Sequence, residues 1–78
     1  MDQIYYIQQQ KTKGDETTES LLIAFKTYEK AQAYLEEYAE NMGYETRYNE
    51  DGVFLYAKFQ NVRRHVKILL TIQILQVH

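Results

Sequence analysis

The chain contains no cysteine, no proline and no tryptophan, and it has only three glycines and two histidines. Without cysteine, neither a disulfide nor a thiolate metal site can form. The glycines are isolated from one another, so the sequence has no glycine-rich phosphate loop. Ser20 is the only serine, and no residue pattern pairs His65 with a nucleophile. We therefore expect a protein that is not an enzyme and that holds no metal and no cofactor.

Small size limits the stability that a core can supply. The 78 residues form one domain, residues 1–78, and a chain of this length buries about 60% of the surface that its unfolded form exposes. Domains this small commonly gain stability from disulfides, metals or partner subunits. Because cysteine is absent, we expect oligomerisation to serve this purpose. The lack of cysteine and of a signal-peptide pattern also predicts a cytoplasmic location.

Charge is distributed unevenly along the chain, although the formal net charge is only −2. Residues 1–43 carry four Lys and eight Asp or Glu, a net charge of −4. Residues 44–78 carry five Lys or Arg and three Asp or Glu, a net charge of +2. The acidic groups lie in predicted loops, turns and helix surface, where solvated charge explains them better than a Mg²⁺ site does. The asymmetry is too small to indicate nucleic-acid binding by itself.

The strongest structural signal lies in the middle of the chain. From Ala31 to Met42, apolar or amphipathic side chains recur at alternating spacings of three and one, which is one face of an α-helix. Thr27 precedes this pattern as an N-cap, and Gly43 follows it as a C-cap. The sequence predicts a helix at Tyr28–Met42. Its predicted buried face consists of Ala31, Tyr34, Leu35, Tyr38 and Met42.

Strand patterns lie on both sides of this helix. Residues 4–10 and 21–25 are apolar or rich in β-branched and aromatic side chains, and the polar segment 11–19 between them predicts an exposed loop. After the helix, residues 44–48 and 53–59 alternate, separated by an Asp-Gly hairpin turn. In the second of these strands, the residues predicted to share one face are Val53, Leu55, Ala57 and Phe59.

The segment 66–77 is the most apolar part of the chain, and β-branched residues alternate along it, so it predicts a strand. It is too short and too polar for a membrane helix of about 20 residues. The complete pattern predicts an α+β domain of order ββαβββ, with one helix packed on an antiparallel sheet. The last strand is longer than the strand before it, so residues 72–77 must pair either with the N-terminal strand or with another copy of the chain. We expect a homodimer, with an interface formed by Ile72, Ile74, Leu75 and Val77.

The second half of the chain contains one basic patch. Its cations, next to tyrosines on neighbouring strands, resemble the surfaces that bind nucleotides or single-stranded nucleic acid. No RRM, KH, OB or helix-turn-helix signature accompanies the patch, and cations beside an edge strand also suppress aggregation. The candidate binding residues are Arg63, Arg64, Lys67, Tyr48, Tyr56 and Arg47.

Tyrosine is abundant, with eight residues, and it supplies the rigid amphipathic area that binding interfaces favour. A short chain rich in Tyr, Gln, Glu and Lys resembles small accessory proteins of phages and mobile elements. The sequence thus predicts a non-enzymatic protein that binds a host protein and inhibits or modulates it. Two alternatives use the basic patch. One is a homo-oligomer that sequesters a small anionic ligand such as a nucleotide, and the other is a nucleic-acid-binding module.

Overall fold

A computed structural model describes residues 2–77 of the chain. The strands form one antiparallel sheet in the order β2-β1-β5-β4-β3, and the helix packs on one of its faces. The predicted α+β fold of order ββαβββ is confirmed. The elements are β1 (Asp2–Lys13), β2 (Glu16–Phe25), α1 (Tyr28–Met42), β3 (Glu45–Tyr48), β4 (Phe54–Asn61) and β5 (Val66–Val77).

The bounds of α1 are those predicted, because both caps form as expected. The Thr27 hydroxyl accepts a hydrogen bond from the Lys30 backbone N–H at 3.3 Å. Gly43 adopts the left-handed conformation with φ 75°, and the next backbone N–H, of Tyr44, donates to the Ala39 carbonyl at 2.7 Å. This pairing at a left-handed glycine satisfies carbonyls that the last turn leaves without partners. Local sequence therefore determines where the helix begins and ends.

The buried seam of α1 is narrower than predicted. Ala31, Leu35 and Ala39 are fully buried, whereas Tyr38 is half-buried beside them. The expectation that Tyr34 and Met42 are buried is wrong, since both are exposed, Met42 by 53%. The buried residues of α1 recur every fourth position as Ala31, Leu35 and Ala39, and the long side chains of Tyr34 and Met42 project outward beside this seam. From the sheet, the core receives Ile7, Phe54, Ala57 and Leu70.

The β1–β2 hairpin is much longer than predicted. The segment 11–19 was expected to be a loop, but the strands continue through it and only Gly14 and Asp15 form the turn. Cross-strand contacts such as the one between the Thr12 and Thr17 hydroxyls, 3.3 Å apart, line this extension. β5 pairs along the other side of β1 as far as Lys13. Polar side chains suit a strand that has water on both faces, and this explains the incorrect loop prediction.

Bulges change which side chains face the helix. The β3–β4 ladder shifts register between Arg47 and Tyr48, and this shift inserts Leu55 as an extra residue. As a result Phe54 is 5% exposed, while Leu55 is 45% exposed. The prediction that four residues of this strand share one face is therefore wrong for Val53 and Leu55, which are exposed, and holds for Ala57 and Phe59. A strict alternation cannot anticipate a bulge, because the extra residue reverses every side chain before it.

β5 has the predicted bounds and runs through the centre of the sheet. Its ladder with β4 covers only Val66 to Leu70, whereas its ladder with β1 continues to Val77. Of the two partners expected for residues 72–77, the structure shows the N-terminal strand. Within residues 2–77, no strand pairs with the other side of residues 71–77. We call this unpaired side the open edge.

Candidate functional site

The sheet has one covered and one uncovered face. Residues directly opposite one another in an antiparallel ladder project to the same face. Leu70 of β5 belongs to the core under α1, so its neighbours Leu69 and Thr71 project to the other side. The register places Ile4 opposite Leu75 on that side. Apart from the strands of the sheet, the only helix or strand within residues 2–77 is α1, which packs on the opposite face. No helix or strand of the described residues therefore covers this face, which we call the open face.

One end of the sheet exposes apolar side chains on both faces and along the open edge. Ile74 is 56% exposed and Leu75 is 53% exposed at the end of β5. Val53 and Leu55 are also exposed, and they border the gap that begins where the β4–β5 ladder stops. Ile4 and Tyr6 of β1 are half-buried on the adjoining open face. We call this set the apolar end: Ile4, Tyr6, Val53, Leu55, Ile74 and Leu75.

The open edge lacks the devices that usually protect an exposed strand. Its residues, 71–77, include no charge, no proline and no register shift. By contrast, the outer strand β2 carries a register shift near Ile23 and the carboxylates of Glu16 and Glu19, and the outer strand β3 has only four residues. The open edge is therefore the part of the sheet best suited to accept another strand.

The residues predicted for an oligomer interface have different positions. Ile72 lies opposite Ile7 and packs against the core, so it is mainly a core residue. Ile74 and Leu75 are exposed on opposite faces of the open edge. The side chain of Val77 lies outside the described part of the chain. Ile74 and Leu75 are thus the two predicted interface residues that the fold leaves accessible.

At the opposite end of the sheet, two hairpin turns meet. The Gly14 backbone N–H donates to the His65 carbonyl at 3.0 Å. Lys13 lies opposite Val66, and Lys67 lies opposite the residue before Lys13. This register brings two lysines of β1 to the same end of the sheet as the β4–β5 turn, and all five cations are exposed. Lys11 and Lys13 project to the α1 side of the sheet, whereas Lys67 projects to the open face. We call this set the basic tip: Lys11, Lys13, Arg63, Arg64 and Lys67.

Sequence reasoning missed Lys11 and Lys13 as members of this site because it placed them in a loop. A signal was present, since Gly14-Asp15 is a two-residue hairpin signature. Recognising it would have extended β1 and β2 to the turn. The pairing of β1 with β5, which brings both lysines to the arginines, has no comparable local signal.

The basic tip separates charge more strongly than the two halves of the sequence do. Residues 11–16 and 62–67 carry five Lys or Arg and two Asp or Glu, a net charge of +3. The remaining residues carry four Lys or Arg and nine Asp or Glu, a net charge of −5. Folding therefore converts a mild asymmetry along the sequence into a molecule with one basic end.

The β4–β5 turn holds its arginines on an ordered backbone. The Asn61 side-chain oxygen accepts a hydrogen bond from the Arg64 backbone N–H at 3.2 Å. His65 adopts the left-handed conformation with φ 55°, and its N–H donates to the Val62 carbonyl at 3.3 Å. A histidine in this conformation is uncommon and costs free energy relative to glycine. The turn is thus fixed by both side-chain and backbone contacts.

The structure does not bring the six predicted binding residues onto one surface. Arg63, Arg64 and Lys67 lie together at the basic tip. Arg47 and Tyr56 lie opposite each other, and Tyr56 is four residues, about 13 Å, along β4 from Gln60, the partner of Lys67. Tyr48 faces the helix instead, where its hydroxyl donates to the Glu36 carboxylate. That hydrogen bond raises the pKa of Tyr48 above its ordinary value.

Many of the aromatic rings serve packing rather than binding. A continuous row of aromatic rings runs along the helix, and the centroids of successive rings are 5.4, 6.3, 5.8 and 5.4 Å apart. Within this row of rings, burial raises the pKa of Tyr44, and the contact between Tyr44 and Tyr38 raises that pKa further. Such ring contacts each add about 0.5–1.5 kcal/mol beyond the burial of their area. The rings, in order, are Phe25, Tyr34, Tyr38, Tyr44 and Phe59.

Beside the basic tip, the open face has a shallow depression of about 90 Å³, lined by Gln10, Thr12, Lys67 and Leu69. Pockets for drug-sized ligands usually measure roughly 300–1,000 Å³, so this depression is too small to enclose one.

Within residues 2–77, no three His, Asp or Glu side chains are grouped in a way that could hold a metal ion. No helix in the same range has the length and apolarity needed to cross a bilayer. Comparison of the chain with protein-family models, with curated proteins and with solved structures finds no match.

Proposed function

We propose that this chain is a small non-enzymatic binding protein that makes its protein contacts at the apolar end. The observation that supports this is the group of exposed apolar side chains around an unprotected strand edge. Contiguous apolar surface on a small protein commonly marks a site of protein contact. In this proposal the chain acts as a small accessory protein that binds a host protein and thereby inhibits or modulates it.

The first contact at this end is with a second copy of the chain. The open edge presents backbone N–H and C=O groups that can pair with an added strand. Two copies related by a twofold axis would pair β5 with β5 in antiparallel fashion and place Ile74 opposite Ile74. The apolar side chains on both faces of the edge, Ile74 and Leu75, suit such a pairing. The result is a homodimer with one continuous sheet.

The contact with the host protein uses the open face of the apolar end. Pairing of β5 with β5 would leave Ile4, Tyr6 and Leu75 of each copy on a shared, uncovered surface. Tyrosine flanked by aliphatic side chains is typical of the residues that dominate interface free energies. The dimer therefore presents two such patches side by side, which allows a bivalent contact.

Light scattering tests the dimer directly. Ile74→Lys should yield monomers at concentrations where the natural chain is dimeric, since a charge at this position cannot be buried between copies without a large cost. Val62→Lys is the matched control, because Val62 is exposed in the β4–β5 turn, far from the apolar end. A natural chain that stays monomeric at high concentration would contradict the dimer.

Capture from host lysate tests the second contact with a matched pair of tyrosine variants. Tyr6→Glu changes the apolar end, and Tyr56→Glu changes the middle of the open face, where both side chains are half-buried. We expect a host protein that binds the natural chain and the Tyr56→Glu variant but not Tyr6→Glu. The reverse result would assign the contact to Tyr56 and Arg47 instead of the apolar end.

A further inference from the structure

We propose that the basic tip is a separate binding site for the phosphate backbone of nucleic acid. The proposal does not depend on the function assigned to the apolar end, because the two sites lie at opposite ends of the sheet. It rests on the meeting of two hairpin turns, which places five cations from different parts of the chain at one end of the sheet.

The width of the tip suits an extended polyanion. Its cations come from β1, from β5 and from the turn between β4 and β5, and neighbouring strands lie about 4.8 Å apart. The cations therefore spread over roughly 10 Å across the sheet, and Lys11 and Lys13 add about 7 Å along its α1 side, while Lys67 lies on the open face. A polyanion that passes around the end of the sheet can contact the cations of both faces and of the turn with several phosphates at once. Arg63 and Arg64 can each hold a phosphate through two hydrogen bonds.

The shape of the tip argues against a small nucleotide. The turns project outward, and the depression beside Lys67 is too small to enclose a nucleotide. An unenclosed phosphate keeps most of its water, so one contact alone contributes little. A nucleic acid overcomes this limit because many weak phosphate contacts act together and release counterions. This reasoning favours the nucleic-acid module over the nucleotide-sequestering alternative.

The chemistry of the tip predicts binding without sequence preference. None of the eight tyrosines or three phenylalanines lies within residues 11–16 or 62–67, so no aromatic ring there can stack on a base. Phosphate contacts position a protein on nucleic acid but do not read sequence. We therefore expect duplex and single strands to bind with similar, modest affinity.

The rest of the molecule orients the approach. The body outside the tip carries a net charge of −5, which repels a polyanion, whereas the tip attracts it. One acidic group opposes the site itself, because Glu16 lies directly opposite Lys13 in the β1–β2 ladder. Removing that carboxylate should strengthen binding, and a purely structural tip would show no such gain.

Fluorescence anisotropy with a labelled 20-base-pair DNA duplex, and with one of its single strands, tests the proposal. We expect a dissociation constant of about 10⁻⁶–10⁻⁴ M at low salt and a loss of about 40- to 150-fold between 50 and 200 mM salt, as for three or four phosphate contacts. The double variants Arg63→Gln/Arg64→Gln and Lys11→Gln/Lys13→Gln should each weaken binding by about tenfold or more and reduce the salt dependence. Glu16→Gln should strengthen it.

The matched control is Lys26→Gln/Lys30→Gln, which removes two positive charges from the acidic body. Thermal melting establishes that every variant is folded. Retention of binding by the control and loss by the tip variants supports the site. The proposal is overturned by no binding at 50 mM salt, by equal losses in control and tip variants, or by tighter binding of ATP than of DNA. A polyglutamate peptide of equal charge that competes as well as DNA would assign the tip to acidic proteins.

Discussion

The apolar end and the basic tip are built from the same three neighbouring strands, yet they present opposite chemistry. β1 and β5 pair along their whole lengths, so one ladder carries Ile4 and Leu75 at one end and Lys11 and Lys67 at the other. The apolar end projects aliphatic side chains from a strand edge with which no other strand within residues 2–77 pairs. The basic tip projects cations from turns that are closed by hydrogen bonds.

The difference shows how a small sheet can carry two surfaces. α1 packs on only part of the sheet, and the β1–β2 hairpin continues past it into solvent as a polar extension. Beyond the helix, burial no longer restricts the side chains, so charges can collect there. At the other end, the aliphatic residues needed near the core continue into the open edge. The strands are thus longer than the part of the sheet that α1 covers, and the parts beyond α1 carry the two exposed surfaces.

The largest expected effect comes from the core that both ends share. Leu35→Ala removes a fully buried side chain of α1 and should lower the free energy of unfolding by about 2–5 kcal/mol in urea denaturation. Dimerisation and DNA binding should then decline together with the folded fraction. The control Leu21→Ala, at an exposed position of β2 outside both surfaces, should cost less than about 1 kcal/mol. Equal costs for the two variants would contradict the assigned core.

The next effect should separate the two ends. Ile74→Lys should remove dimerisation while leaving the salt-dependent binding of DNA at the tip within about twofold per copy, because the changed residue lies at the opposite end of β5. Arg63→Gln/Arg64→Gln should do the reverse. Light scattering and anisotropy on the same samples measure both properties. If either variant removes both properties while remaining folded, the two surfaces are not independent.

A smaller effect should be confined to the turns of the basic tip. Gly14 has φ 61° with open space around its Cα, so Gly14→Ala should cost about 1 kcal/mol through backbone strain alone. His65→Gly should have the opposite sign, since glycine relieves the left-handed strain of that residue. Thermal melting measures both. Destabilisation by His65→Gly would mean that a contact of the imidazole stabilises the fold by more free energy than the left-handed backbone conformation costs.

The smallest effect concerns the alkaline pH dependence of stability. The hydrogen bond to Glu36 raises the pKa of Tyr48 above the ordinary value of 10.0. A raised tyrosine pKa means that the folded state favours the neutral phenol, so this contribution is complete below pH 10 and is lost as the pH rises further. Tyr48→Phe should be less stable at pH 8 and lose stability less steeply above pH 10. Parallel curves for the two proteins would contradict the assigned hydrogen bond.

Local features of the sequence were sufficient for the elements whose ends are determined by neighbouring residues. Thr27, Gly43 and the helical spacing between them predict the bounds of α1, because capping and amphipathicity act over only a few residues. Alternation predicts β5 for the same reason. The same signals could not predict the bulge at Leu55 or the exposure of Met42, since both depend on how strands and helix fit together.

The sequence alone determined the element order, the α+β class and the unusual apolarity of the segment 66–77. Only the tertiary structure decided which charges and which apolar residues share a surface. Lys11 and Arg63 are 52 positions apart in the sequence, and they lie at the same end of the sheet because β1 pairs with β5 along its full length. That pairing is a long-range contact, whose register follows from packing Ile7 and Leu70 under α1. Residue patterns within one segment carry no information about such a pairing, and both proposed binding surfaces depend on it.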